Sequence, residues 1–234
     1  MRRALVAVVP LAALLVSSGS AQVCAGLPSL SERPVIASTD VSRATTGWSA
    51  TAGVTAGRRL FGAVYGGTTT YEDVEFAAQT KDASSVLAGA GLGYEVTLAP
   101  NPETAGARLG LCPLLAAEWE SGPDGDFGGT KLDSDGWTLS AGASVGGVLL
   151  DRPPWRLIPF AAASFARVST TVHDVPFVGT DTDARDDGWV FAVGVGVGIG
   201  SQVTVSPGLT IPTGITGGEN SFSLSFNVGF GHGR

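Results

Sequence analysis

Two histidines, two cysteines and a set of clustered aspartates are the residues of this 234-residue chain whose types could carry chemistry. His173 stands beside Asp174 and four residues after Ser169, so a general base and a nucleophile are both at hand. Acyl transfer also needs a group that orients the base, and the sequence singles none out. We read His173 as an exposed loop histidine and His232 as tail, and assign no catalytic residue. Asp124 with Asp126, Asp133 with Asp135, and Asp181, Asp183, Asp186 and Asp187 have the carboxylate spacing of hard-cation sites. Asp186 occupies the place where a calcium loop needs glycine, so these read as a solvated acidic rim, with weak divalent-cation binding as the alternative. "GAGLGY" from Gly89 to Tyr94 lacks the third glycine and the following helix of a dinucleotide loop. There is no Cys/His cluster with metal-ligand spacing, and no cofactor is assigned.

The chain that positions these residues begins with an address. Arg2 and Arg3 precede an apolar run from Ala4 to Val16, and Gly19 and Ala21 place small residues at the positions a signal peptidase reads, which predicts a cleaved signal peptide over 1–21. Outside the cytoplasm an even cysteine pair reads as a disulfide, here Cys24 with Cys112. The remainder has no apolar run long enough for a membrane helix, so any membrane passage must be made by strands. Glycine supplies 34 residues, about twice the usual share, and helix-period segments are hard to find. A net charge of −7 leaves no basic surface for nucleic acid.

Alternating segments recur along the chain: Val35 to Arg43, Gly47 to Thr55, Arg59 to Tyr71, Ser84 to Leu98, Ala107 to Glu120, Gly136 to Leu149, Trp155 to Val172, Gly188 to Gly200, Gln202 to Ile211 and Asn220 to Phe230. Short or proline-marked connections alternate with longer acidic ones, as the periplasmic turns and extracellular loops of an outer-membrane barrel do. The expected fold is all-β, a single antiparallel transmembrane up-and-down barrel of ten strands over 35–234, with eight as the alternative. Residues 22–34 form an N-terminal periplasmic tail.

Orientation decides whether such a barrel is soluble. Trp48, Trp119, Trp137 and Trp189, with Tyr71, lie where strands meet long loops, and Trp155, with Phe61, where a strand meets a short turn; this is the pattern of two aromatic girdles. Between Gly188 and Gly200 one face carries Trp189, Phe191, Val193, Val195, Val197 and Ile199, and the other Gly194, Gly196, Gly198 and Gly200. A glycine stripe turned to water would sacrifice backbone entropy for no packing gain, so the glycines are expected inside and the branched side chains against lipid.

The last strand, with Phe222, Leu224, Phe226, Val228 and Phe230 on alternate positions, resembles the C-terminal assembly signal of small bacterial outer-membrane β-barrel proteins, the group that includes the barrel of outer-membrane protein A and its short relatives. Here Gly231 to Arg234 follow the final aromatic. The resemblance implies the Gram-negative outer membrane, contact with its lipid and lipopolysaccharide, and recognition by the barrel-assembly machinery. It covers most of the chain and consists of patterning, so it implies a class and no activity.

Inside the barrel, Glu95 and Arg108 flank one short turn at matching distance and are expected to pair across the hairpin, with two separately solvated lumen charges as the alternative. Cys112 falls on the same lumen face, so a bond to Cys24 would draw the tail into the periplasmic mouth. The function expected is that of a monomeric, non-enzymatic outer-membrane barrel with a structural or surface-interaction role and at most a narrow, porin-like pore. The alternatives are a small-solute channel, a hydrolase at the outer rim, where His173 and Asp174 superficially resemble the Asp-His pair of omptin-type proteases, and a soluble lipocalin-like carrier.

Overall fold

The computed structural model describes residues 33–76, 79–100, 107–127, 130–152, 154–173, 181–200, 202–216 and 218–231. Among the described residues thirteen strands succeed one another: β1 (Val35–Ala44), β2 (Gly47–Gly57), β3 (Leu60–Phe76), β4 (Gln79–Tyr94), β5 (Val96–Pro100), β6 (Ala107–Phe127), β7 (Thr130–Leu132), β8 (Ser134–Gly147), β9 (Leu150–Arg152), β10 (Trp155–Val172), β11 (Thr182–Ile199), β12 (Val203–Thr213) and β13 (Ser221–Phe230). Every pairing is antiparallel, and β1 pairs both β2 and β13. The ladder between β10 and β11 closes the cylinder. The chain is a closed ten-stranded antiparallel barrel, because β5 and β9 prolong the staves of β4 and β8, and β7 folds back on the end of β6.

The count of ten staves agrees with the sequence reading, and the ends do not. β3 and β4 run on as a ribbon to Phe76 and Gln79, β6 reaches Phe127, and β11 begins at Thr182, so stretches read as acidic loops are partly paired strand. Beyond an apolar band no face needs to be greasy, and the period-two signal disappears although backbone pairing continues.

Exposure alternates along each stave, and the apolar side chains are the exposed ones. Val64, Leu92, Leu115, Leu139, Val193 and Phe226 stand outside at 63, 61, 60, 54, 46 and 48 % exposure. The inner face holds Ser49, Thr51, Thr55, Ser85, Glu118, Glu120, Ser144, Thr204, Ser206 and Asn227, all buried. Inside-out distribution of this kind is the reverse of a water-soluble core.

Glycine on the inner face has a packing reason. A Cβ added at Gly93 would lie 2.1 Å from Phe61 Cζ, one at Gly89 2.2 Å from Tyr65 Cζ, and one at Gly194 2.6 Å from Phe160 Cζ. The rings of Phe61, Tyr65 and Phe160 thus each lie over a glycine of the neighbouring stave. Phe61 also packs with Ile36 and Leu114.

Candidate functional site

The interior and the two mouths are the places where side chains converge. At the long-loop end, β3, β4 and β6 turn Tyr71, Ser85, Glu118 and Glu120 inward. Tyr71 Oη donates to Glu120 Oε1 at 2.5 Å, and the Ser85 hydroxyl donates to the same oxygen. Tyr71, expected in the outer girdle, is therefore a correction: it is 1 % exposed and faces the lumen. Phe61 is inward too, at 2 %. Both follow from parity, since Leu60 and Val64 take the outer face of β3 and leave the odd positions inside. Trp48, Trp137, Trp155 and Trp189 do stand on the outer face, and Trp119 lies directly across from Trp137. Trp189 makes an edge contact with Phe165 across the strands, ring centroids 5.8 Å apart. Phe222, Leu224, Phe226 and Phe230 are exposed on the outer face of β13, and Val228 follows on the same side.

Part of the long-loop mouth is covered by the connection between β12 and β13. Ile215 sits among Ala166, Val168 and Val190. Thr216 donates its backbone N–H to Asp186, and Glu219 Oε2 accepts from the Thr46 N–H at 3.0 Å, tying this connection to β11 on one side and to the β1–β2 turn on the other. Asp186, one of the candidate cation ligands, is thus spent on a backbone donor. That N–H donor holds its carboxyl below the ordinary carboxylate range.

His173 lies just beyond β10 at the same end. Its Nε2 is 2.6 Å from Asp135 Oδ1 and its Nδ1 is 3.3 Å from Asp181 Oδ2, so one ring joins the starts of β8 and β11. The hydrogen bond with Asp135, then that with Asp181, raises the imidazole pKa above its ordinary value. With both ring nitrogens engaged by carboxylates, neither is left to take a proton from a serine. Ser169 is four residues back along an extended strand, about 13 Å away. Asp174 lies outside the described residues. Asp135 is 38 positions from His173, and no local motif could have linked them. Among the described residues, no three His, Cys, Asp or Glu side chains gather as a metal site.

At the short-turn end, Arg33 packs its side chain along Gly229 and donates to the Gly231 carbonyl. The register does not bring Glu95 and Arg108 together. Gly93 faces Leu114 and Val96 faces Leu111, which sets Glu95 near Cys112, while Arg108 lies farther towards the mouth. Glu95 is 3 % exposed and Arg108 is exposed. The sequence reading centred the hairpin midway between Glu95 and Arg108, but the pairs Val96 with Leu111 and Pro100 with Ala107 centre it two residues later, which puts Cys112 and not Arg108 across from Glu95. Cys112 is fully buried on the inner face, and Cys24 lies outside the described residues, as do the positions read as a signal peptide.

No family model matches the chain, and no curated protein sequence matches it. Among solved structures it is similar to the N-terminal β-barrel domain of Pseudomonas aeruginosa OprF, with 12 % identity, 85 % of this chain and 99 % of that one covered, and a TM-score of 0.34. It is also similar to Ail, the attachment invasion locus protein of Yersinia pestis (9 % identity, 84 % and 97 % covered, TM-score 0.38), and to the beta domain of the Bordetella autotransporter BrkA (11 %, 84 % and 98 %, 0.42). These three are outer-membrane β-barrels. Similarity at this level carries no inference to activity, and the barrel is read from the pairing of this chain's own strands.

Proposed function

We propose that this protein is an integral outer-membrane barrel with a structural or surface-interaction role, monomeric and without catalytic activity. The observation that carries the reading is the exposed apolar outer face, bounded by Trp48, Trp137 and Trp189 towards one end and Trp155 towards the other. Such a surface in water would be a far larger apolar patch than soluble monomers display. Its partners are then outer-membrane lipid and lipopolysaccharide, with the barrel-assembly machinery reading the alternate apolar residues of β13.

Phe61, Tyr65, Phe160 and Ile158 point into the lumen and Ile215 covers part of its outer mouth, which supports at most a narrow pore over an open channel. A Cys24–Cys112 disulfide, following export and removal of residues 1–21, would add a tether at the inner mouth; burial of Cys112 on the lumen face is consistent with it. Membrane-extracted protein is expected to migrate faster unheated than boiled and to show little conductance in planar bilayers. Purification as a folded monomer in detergent-free buffer would defeat the proposal, and porin-sized conductance would defeat its closed-lumen part. A mobility shift on reduction tests the tether.

A further inference from the structure

At the long-loop end of the lumen a buried carboxylate lacks a counter-charge. Glu120 lies on the inner face of β6, accepts hydrogen bonds from the neutral hydroxyls of Tyr71 and Ser85, and has no ion pair among the described residues. Glu118, also buried, lies two positions along the same face. Arg108, on the same stave, is twelve positions from Glu120, about 40 Å along an extended strand. Among the described residues of the long-loop end, Arg43, Lys81, Arg167 and Arg185 are exposed, and Arg43 and Arg167 are already bound to Glu72 and Asp187. A carboxylate taken out of water needs either a proton or a cation.

Thr69 separates the two. It is 2 % exposed, and its Oγ1 has no hydrogen-bond partner among the described residues. Thr69 turns inward on β3 two positions before Tyr71, and its partners in the ladders are Ser49 on β2 and Ser85 on β4. The two residues that bond Glu120 are therefore Thr69's own neighbours, one along the stave and one across it, and its hydroxyl faces the same part of the lumen. Beside it a cavity of about 10 Å³ is lined by Ser42, Ser49, Thr69 and Ser221, with the Ser42 and Ser49 hydroxyls 2.7 Å apart. That is room for one water or one ion. A proton on Glu120 would settle the charge and leave the Thr69 oxygen idle, whereas a water would satisfy the oxygen and leave the charge. A metal cation does both. Donors that are all carboxylate or hydroxyl oxygen select a hard cation, and two carboxylates on adjoining inward positions match a divalent one. The acidic rim, including Asp124, Asp135, Asp183 and Glu219, concentrates such ions at this mouth.

We infer that the outer end of the lumen holds one hard divalent cation between Glu120 and the Thr69 hydroxyl, with Glu118 supplying the second charge. The test folds the full chain into phosphatidylcholine vesicles, whose headgroups carry no net charge, and titrates it with urea with and without calcium at constant ionic strength. For a dissociation constant of about 0.1–1 mM, as in extracellular calcium modules, about 10 mM calcium should shift the folding equilibrium roughly 10- to 100-fold towards the barrel. Glu120→Gln should cut that shift below about twofold. Thr69→Val should weaken it at least about threefold, yet match or exceed wild-type stability without calcium, because the hydroxyl removed had no partner to lose. A purely structural hydroxyl would not give that opposite response, and Thr69→Val decides the matter if Glu120→Gln does not fold. Asp133→Asn combined with Asp183→Asn, on the rim, should leave the shift in place. No calcium shift on the folded wild type, a full shift in Glu120→Gln or Thr69→Val, or its loss in the rim variant would each overturn the site. Thr69→Val costing the same stability with and without calcium would also overturn it, in favour of a bound water. A chain that never folds into the vesicles would instead overturn the membrane reading, and this inference with it.

Discussion

Val193→Arg is the substitution that separates lipid from water outside this barrel most cleanly. Val193 lies on the outer face of β11 at 46 % exposure, four residues from Trp189 and six from Ile199, whose partner across the strands is Trp155. At about 3.3 Å per residue and a strand tilt near 40°, it stands roughly 10 Å below one aromatic level and 15 Å above the other, close to the middle of the apolar band. An arginine there should destabilise the folded barrel by about 2–4 kcal/mol, and Asp183→Arg, outward of the band on the same stave, by about 0–1. The first corresponds to roughly a 30- to 1,000-fold change in the folding equilibrium. Urea titration in phospholipid vesicles, followed by heat-modifiable migration, reads both. If Val193→Arg matched wild type within about 0.5 kcal/mol, or if the two variants cost the same, the outer face would be in water and the orientation argument would fail.

The interior supplies a second test: Gly93→Ala should lose about 1–3 kcal/mol in the same titration because its methyl meets the Phe61 ring, and pairing it with Phe61→Leu should recover most of the loss. Tyr71→Phe removes the phenolic donor from buried Glu120 and should cost about 1–3 kcal/mol, with the gel shift retained. At the rim, the imidazole of His173 should titrate above about 6.5 by nuclear magnetic resonance, and Asp135→Asn should bring it back down. Because its folded pKa is raised, the bonds to Asp135 and Asp181 stabilise fully below the unfolded value and fade as pH climbs through the folded one; hydrogen-exchange protection factors, corrected for the intrinsic rise of exchange with pH, should fall at the starts of β8 and β11 across that window and stay flat in His173→Gln.

The staves were legible wherever one face had to be greasy. From Gly188 to Ile199 the alternation of glycine with branched or aromatic residues gave both the strand and its inner face, and Phe222 to Phe230 did the same for β13. Tyr71 shows where that ends. It shares residue class and loop-end position with Trp48, but Phe61, Ala63 and Tyr65 make the inner face of β3 as apolar as the outer one, so composition alone did not reveal parity. The acidic ribbons beyond the aromatic levels were read as loops because water accepts polar residues on both faces and leaves no period to detect.

The sequence by itself determined the all-β class, the ten staves and the side that faces out, since pleat geometry ties each of these to residues one or two positions apart. Only the tertiary structure decided which groups meet: Glu95 beside Cys112 and not Arg108, His173 between Asp135 and Asp181, and Phe61 over Gly93. Those partners are set by register and by bulges, and a slip of one residue in a ladder moves a cross-strand neighbour by a whole step while the alternation on which the sequence reading rests looks the same.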